Sequence, residues 1–280
     1  MTRFFLLAIF CAGNIGQAFG QMSCCSKKIL FSDNAQLAAD SGFKNNHLEP
    51  LPFSFVSSVG KMIRFSTKDG KTGSGFFIDP ISPSNQFIFV FHEWWGLNDY
   101  IKKETKKLAQ SFPKANILAI DLYDGKVASS RDSASHYMGT LTKERAENII
   151  NGAIEFAGKR SRIASIGWCF GGGWSLQCAL LCGSQSSATV IYYGLPEENI
   201  EKLKKLESPV LFVFAEKDAW INKEIVSKFE INMKDLDKKL TVLPYSADHA
   251  FANPSNPKFN PEFMEDAYRK STEFLKKNMR

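Results

Sequence analysis

The sequence predicts an α/β fold, a mostly parallel β-sheet with helices on both faces. Within residues 59–280, stretches with strand character alternate with helical stretches of about 10–15 residues, which implies right-handed crossovers between parallel strands. The segment QFIFVF at 86–91 is apolar throughout, which is typical of a strand buried on both faces. No internal repeat, low-complexity tract or linker divides residues 59–280, so we expect a single domain.

The predicted strands begin with a hairpin. Lys61–Thr67 alternates between apolar and polar residues, and the turn Lys68-Asp69-Gly70 connects it to Gly73–Ile78. Six further strands are expected after this hairpin: Gln86–Phe91, Asn116–Asp121, Arg162–Ile166, Ala188–Tyr193, Pro209–Phe214 and Leu240–Leu243.

Helices are expected in the segments between these strands. Thr142 has the character of an N-cap, with Glu144 favourably placed in the first turn of a helix that ends near Gly158. The other predicted helices in this domain cover about 99–112, 170–182, 224–236 and 262–277.

The first 20 residues are predicted to be a secretory signal peptide. Arg3 is the only charged residue there, an apolar run follows, and Ala18-Phe19-Gly20 places small residues at the −3 and −1 positions of a cleavage site before Gln21. The apolar run is too short to span a bilayer, and Phe10 before Cys11 argues against a lipoprotein. We therefore expect an exported protein, periplasmic or secreted, without stable membrane insertion once the signal is removed.

Residues 21–58 are predicted to be an amino-terminal leader segment without strong periodicity. Asp33 is expected to cap a short helix through Ala39, and Pro50 and Pro52 enforce extended chain. The mature chain would retain five of the six cysteines: Cys24, Cys25, Cys169, Cys178 and Cys182. An odd number outside the cytoplasm leaves at least one thiol free or paired with another chain.

Composition and charge exclude several classes of protein. Charged residues make up 23% of the chain and hydrophobic residues 44%, which is typical of a globular protein. The net charge of +6 comes from scattered lysines on polar helix surfaces, and no arginine stripe or nucleic-acid motif accompanies it. We expect no nucleic-acid partner, and a monomer.

The most specific motif is Gly167-Trp168-Cys169-Phe170-Gly171, between a predicted strand and a predicted helix. It matches the G-x-S-x-G nucleophile elbow with cysteine in place of serine. The two glycines permit the sharp turn, and the helix N-terminus favours a thiolate. Cys169 is therefore the candidate nucleophile, the alternative being a buried cysteine in a glycine-rich turn.

Partners for this nucleophile follow in the order nucleophile, acid, histidine. Asp218 comes just after the strand that ends at Phe214, and His249 just after the strand that ends at Leu243. Catalytic groups of open α/β sheets gather at these carboxyl ends. The structural alternatives are an N-cap role for Asp218 and a satisfied loop histidine for His249.

Together with His92-Glu93-Trp94-Trp95-Gly96-Leu97-Asn98 and Asp248-His249-Ala250-Phe251, the elbow resembles the dienelactone hydrolase family over about residues 60–280. The resemblance implies an α/β-hydrolase fold and hydrolysis of a small ester or lactone through an acyl-cysteine. It makes Cys169 the nucleophile, His249 the base and Asp218 the group that orients His249. No metal or organic cofactor is implied.

The resemblance also gives a role to the segment that begins at His92. It implies that Glu93 restrains the Cys169 thiol at rest and releases it when substrate binds, since a carboxylate disfavours a nearby thiolate. The backbone N–H groups of Trp94 and Phe170 are expected to form the oxyanion hole. Gly96 stands where a zinc protease motif needs its second histidine, so His92 is expected to be structural.

Two departures from the family leave the substrate open. Asn253 and Gly125 stand where the dienelactone-cleaving members carry arginines that bind the substrate carboxylate. The competing class of function is a non-hydrolytic thiol protein, redox-responsive or ligand-binding, that uses Cys169 and the Cys24-Cys25 pair. That class needs a resolving cysteine near Cys169, whereas the i,i+4 spacing of Cys178 and Cys182 favours core packing.

Overall fold

The computed structural model describes residues 34–279, organised around an eight-stranded sheet. The predicted signal peptide, the Cys24-Cys25 pair and the proposed Asp33 cap lie outside the described residues. Within residues 34–279, no helix has both the length and the apolar character needed to cross a membrane.

The strands agree with the sequence prediction to within one or two residues. They are β1 Lys61–Ser66, β2 Thr72–Ile78, β3 Gln86–Phe91, β4 Asn116–Asp121, β5 Arg162–Trp168, β6 Ser186–Tyr192, β7 Val210–Ala215 and β8 Leu240–Tyr245. Their order across the sheet is β1-β2-β4-β3-β5-β6-β7-β8. The hairpin β1–β2 joins β4 in antiparallel fashion, and the six strands from β4 to β8 are parallel.

The helices pack against this sheet. They are α1 Asn34–Ala39, α2 Ser41–Asn46, α3 Asp99–Ser111, α4 Arg131–Thr140, α5 Lys143–Ala157, α6 Phe170–Cys182, α7 Ile200–Leu203, α8 Lys223–Asp235 and α9 Pro261–Asn278, with a 3-10 turn at Gly183–Gln185. The α/β-hydrolase architecture expected from the sequence is confirmed. Thr142 caps α5 as predicted, its hydroxyl accepting a hydrogen bond from the Arg145 N–H.

Register brings the ends of the parallel strands to one edge of the sheet. Phe91 at the end of β3 is level with Gly167 near the end of β5, and Ala215 of β7 is level with Tyr245 of β8. The loops after these strands carry Glu93, Cys169, Asp218 and His249. Four residues scattered over 157 positions of sequence (249 − 93 + 1) therefore converge at one place.

Three helices were not predicted from the sequence: α2, α4 and α7. In α4 only Ala134 and Met138 are buried, so its apolar face is too narrow to produce a periodic signal. It begins instead through a capping box between Ser130 and Ser133. The short α2 is capped at its N-terminus by Asp40, whose carboxylate accepts the Phe43 N–H at 2.7 Å.

Candidate active site

Cys169 lies at a sharp turn between β5 and α6, where the nucleophile elbow was expected. Its φ of 54° and ψ of −121° are unusual for a residue with a side chain, and the surrounding structure holds it there. The Cys169 N–H donates to the Tyr192 carbonyl at 2.9 Å, which ties the turn to β6. Its side chain is almost completely buried, so bulk solvent has little direct access to the sulfur.

The glycines on either side of Cys169 permit close backbone contacts. A Cβ at Gly167 would lie 2.1 Å from the Gly171 oxygen, and a Cβ at Gly171 would lie 2.4 Å from the carbonyl oxygens of Phe91 and His92. Any side chain at these two positions would force the backbone to shift. The glycines therefore bring the elbow against the loop that follows β3, which carries Glu93.

Asp218 and His249 form a tight pair beside the elbow. The Nδ1–H of His249 donates to Asp218 Oδ2 at 2.5 Å. Asp218 Oδ1 accepts the backbone N–H groups of Trp220 and Ile221 at 2.8 and 3.1 Å, which fixes the carboxylate. Burial opposes ionisation of Asp218, but His249 and these N–H donors outweigh it, so the pKa of the carboxyl is lowered.

His249 is placed to act as a base toward Cys169. Burial lowers the pKa of His249, but the charge of Asp218 and then that of Cys169 in its thiolate form outweigh it, so the pKa is well above its ordinary value. Because Nδ1 is held by Asp218, Nε2 is the nitrogen available for proton transfer. Nε2 is buried and makes no hydrogen bond within residues 34–279.

His47 is a site residue that the sequence analysis missed. Its Nε2 lies 3.4 Å from Cys169 Sγ, and its Nδ1–H donates to the Phe43 carbonyl at 2.8 Å. Burial, and then the nearby His249, lowers the pKa of His47 to about 3, so the ring is neutral near pH 7. The sulfur and one ring nitrogen from each of His47 and His249 all lie within 4.8 Å of one another.

Glu93 is buried near this cluster and is bonded to Asn253. The Asn253 Nδ2 donates to Glu93 Oε2, while Oε1 has no hydrogen-bond partner within the described residues. Burial raises the pKa of Glu93 to about 7, against the opposing effects of His249 and Asn253. In this conformation His47 lies at hydrogen-bonding distance from the thiol and His249 also interacts with it, whereas Glu93 acts on it through charge.

The thiol itself is poorly ionised at rest. Burial raises the pKa of Cys169 above its ordinary value, and the Glu93 carboxylate adds to that shift. His249 and the Phe170 N–H act in the opposite direction without reversing it. The resting nucleophile is therefore mainly a neutral thiol at pH 7.

The two predicted oxyanion donors lie on the elbow and on the adjoining loop. Within residues 34–279, neither the Trp94 N–H nor the Phe170 N–H donates to a backbone oxygen. His92 fixes the β3 loop, since its Nε2 accepts the Leu122 N–H at 3.1 Å and its Nδ1–H donates to the Glu93 carbonyl at 2.6 Å. His92 thus has the structural role that the sequence predicted.

The cavity beside Cys169 and His249 is very small, about 30 Å³. That volume holds about one water molecule, whereas ligand pockets usually measure hundreds of cubic ångströms. Leu37 of α1 and Phe43 of α2 line it together with Trp220. The segment predicted to be a leader thus supplies part of the wall of the site.

The other described cysteines lie away from the elbow. Cys178 and Cys182 are buried in α6, with their sulfurs 3.8 Å apart and no disulfide between them. Cys178 is nine residues along the helix from Cys169, which corresponds to about 13 Å. Neither cysteine is placed to act as a resolving partner for Cys169.

Comparisons with known proteins identify the family of this chain. Residues 74–279 match the model of the dienelactone hydrolase family. The chain is 28% identical to protein usf of Aquifex pyrophilus, with 78% of this chain and 98% of that protein covered. It is 23% identical to carboxymethylenebutenolidase 1 of Cupriavidus pinatubonensis, covering 76% and 95% of the two chains.

A solved structure also shares the fold. A dienelactone hydrolase-like promiscuous phosphotriesterase from metagenomic libraries superposes with a TM-score of 0.66 and 20% identity, covering 79% of this chain and 99% of that one. A family match over most of the chain, together with a hydrolase fold, shows that this chain belongs to the dienelactone hydrolase family and is a hydrolase of that type.

Proposed function

We propose that the chain hydrolyses small carboxylic esters or lactones through an acyl-cysteine on Cys169, with His249 and Asp218 completing the triad. The observation that carries this proposal is the Asp218–His249 pair, whose remaining ring nitrogen is buried beside the sulfur of a strained elbow. Family membership supports the reaction class.

The reaction takes place in two stages. The neutral form of His249 accepts the thiol proton, Cys169 Sγ forms a bond to the carbonyl carbon, and the C–O bond to the leaving group breaks as His249 returns the proton to that oxygen. Water then attacks the thioester, giving the acid and the free thiol. In both stages the N–H groups of Trp94 and Phe170 would bind the oxyanion.

His249 is a better candidate for the base than His47, although His47 Nε2 lies 3.4 Å from the sulfur. A ring with a pKa of about 3 is a weak proton acceptor at pH 7, whereas Asp218 stabilises the imidazolium form of His249. The proposed substrates are neutral esters with small acyl groups. This follows from the small cavity, and from Asn253 and Gly125 standing where arginines were expected.

The test is to trap the acyl-enzyme. Rapid quenching with a p-nitrophenyl ester should add the acyl mass to the peptide that contains Cys169. Cys169→Ala should lose the adduct and the turnover while retaining its circular-dichroism spectrum, and Cys178→Ala serves as the matched control. His249→Ala should lower kcat by about 10³-fold or more, and His47→Gln by less than about 10-fold. An adduct on another residue, or full turnover without Cys169, would refute the proposal.

We also propose that the protein is exported and cleaved before Gln21. The basis is the arrangement of Arg3, the apolar run and Ala18-Phe19-Gly20. Amino-terminal sequencing of the protein recovered from the periplasm or medium should begin at Gln21. Recovery from the cytoplasm with residues 1–20 intact would contradict export.

A further inference from the structure

We propose that Cys169, His47 and His249 form a site for a thiophilic divalent cation, Zn²⁺ above all, and that occupation of this site blocks the nucleophile. The three side chains present one sulfur and two imidazole nitrogens within 4.8 Å of one another. Thiolate and imidazole are the donors that Zn²⁺ prefers.

The geometry around the sulfur suits a tetrahedral metal. With Zn–S bonds near 2.3 Å and Zn–N bonds near 2.0–2.1 Å, tetrahedral angles place sulfur and nitrogen ligands roughly 3.5 Å apart. The separation between His47 Nε2 and Cys169 Sγ is 3.4 Å. One ring nitrogen of His249 lies within 4.8 Å of both atoms, so its side chain must move closer to complete the set of ligands.

Both histidines are oriented as metal ligands usually are. A ligating imidazole donates its second N–H to a carboxylate or a backbone carbonyl, which fixes the tautomer and the ring plane. His249 donates to the Asp218 carboxylate at 2.5 Å, and His47 donates to the Phe43 carbonyl at 2.8 Å. Each ring therefore turns Nε2 toward the sulfur, and the Nε2 of His249 is buried without a hydrogen-bond partner in the described part of the chain.

Two of the three ligand residues, Cys169 and His249, line the small cavity of the site. Its volume of about 30 Å³ accommodates one water molecule as the fourth ligand. Binding exchanges ligand protons for the metal: the S–H bond breaks and a Zn–S bond forms, Nε2 of His249 gives up its proton where it carries one, and these protons are released to solvent. Coordination to the cation lowers the nucleophilicity of the sulfur, so attack on an ester or on an alkylating agent is slowed while the cation remains.

The metal site itself does not depend on the proposed hydrolysis. Co²⁺ serves as the spectroscopic probe, because it replaces Zn²⁺ in tetrahedral thiolate sites and gives intense visible and thiolate charge-transfer bands. Tag-free protein with reduced thiols should show these bands at one Co²⁺ per chain, and Zn²⁺ should displace them. Zn²⁺ should also slow alkylation of Cys169 by at least 10-fold.

Variants separate this site from adventitious binding. His47→Ala and His47→Gln should each weaken Co²⁺ and Zn²⁺ binding by at least about 10-fold, and Cys169→Ala should abolish the charge-transfer band. His136→Ala, at an exposed histidine of α4, is the matched control and should bind as the parent does. Circular dichroism establishes that each variant is folded.

Two spectroscopic outcomes would overturn the site. One is a Co²⁺ spectrum that is not tetrahedral, and the other is a spectrum that persists in Cys169→Ala because other cysteines bind the metal. Unchanged affinity in both folded His47 variants would also overturn it. If the metal binds as expected but the parent hydrolyses no ester, the proposed function fails and the metal site stands.

Discussion

At the scale of single residues, we expect the charge on Glu93 to lower the reactivity of the resting thiol. The buried carboxylate lies close enough to add to the raised pKa of Cys169, although its hydrogen bond goes to Asn253. Glu93→Gln should therefore make Cys169 alkylate several-fold faster, with the largest gain above pH 7, where the parent carboxyl is ionised. Iodoacetamide rates from pH 6 to 9 measure this directly.

Asn253→Ala is the control for that experiment, because it removes the hydrogen bond and keeps the carboxylate. If Glu93 only orients the Trp94 N–H, Glu93→Gln will lose turnover without any gain in alkylation rate. A variant that alkylates no faster than the parent at any pH would rule out the restraining role.

The carboxyl group of Glu93 should also make the free energy of unfolding depend on pH. Its pKa is about 7 in the folded protein and about 4.5 when unfolded, so the folded state retains a proton that the unfolded state has lost between these values. The free energy of unfolding should therefore fall by about 3 kcal/mol as pH rises from 4.5 to 7, and remain at that level above. Urea titrations at several pH values should show this decrease in the free energy of unfolding for the parent but not for Glu93→Gln. If the two proteins gave parallel curves of unfolding free energy against pH, the prediction would be contradicted.

Sequence reasoning located Cys169, Asp218 and His249 because each directly follows a recognisable strand. Parallel strands bring such residues together whatever the loops do. His47 lies 122 positions from Cys169, in a segment with weak periodicity, and its place depends on how that segment folds back over the site. The available signal was the i,i+4 pairing of Phe43 and His47, whose rings lie 4.0 Å apart on one face.

At the scale of secondary-structure elements, α1 and α2 line the cavity and are expected to limit the size of the acyl group in the proposed reaction. Phe43 is buried against His47, Trp94 and Trp220 and lines the cavity. Phe43→Ala should shift preference toward longer acyl chains, because each added methylene that is buried contributes about 0.8 kcal/mol. The ratio of kcat/KM for butyrate over acetate esters should rise by about 10-fold for two methylenes.

Phe53→Ala is the matched control, since Phe53 is 40% exposed and packs on Tyr100 outside the cavity. A ratio that is the same in the parent and in both variants would show that α2 does not limit the acyl site.

Strands were predicted more accurately than the helices of this region because buried strands carry continuous apolar runs. The helices α2 and α4 bury only a few side chains each.

At the scale of the whole molecule, stability is unevenly distributed between the sheet and the segment that covers the site. Strands β3 and β5 lie at the centre of the sheet, and their side chains are almost entirely buried. Besides the buried side chains of Ala38, Phe43 and His47, the segment 34–47 is held by the hydrogen bond from Ser135 Oγ to the Ala38 carbonyl at 2.6 Å and by the solvent-exposed Lys44–Asp132 ion pair. Exposed ion pairs contribute little, so this segment should open locally at a lower free energy than the sheet.

Opening of this segment should limit access to Cys169. The buried cysteines Cys178 and Cys182 serve as internal controls for that prediction. Native-state hydrogen exchange should be fast in 34–47 and slowest in β3 and β5. Ser135→Ala removes one hydrogen bond worth about 1 kcal/mol, so alkylation of Cys169 should be about fivefold faster. Cys178 and Cys182, buried in α6, should react only through global unfolding and keep their parental rates. If all three cysteines instead reacted at one rate that followed global stability, the segment would open only as part of the whole domain, and access to the nucleophile would require a different route.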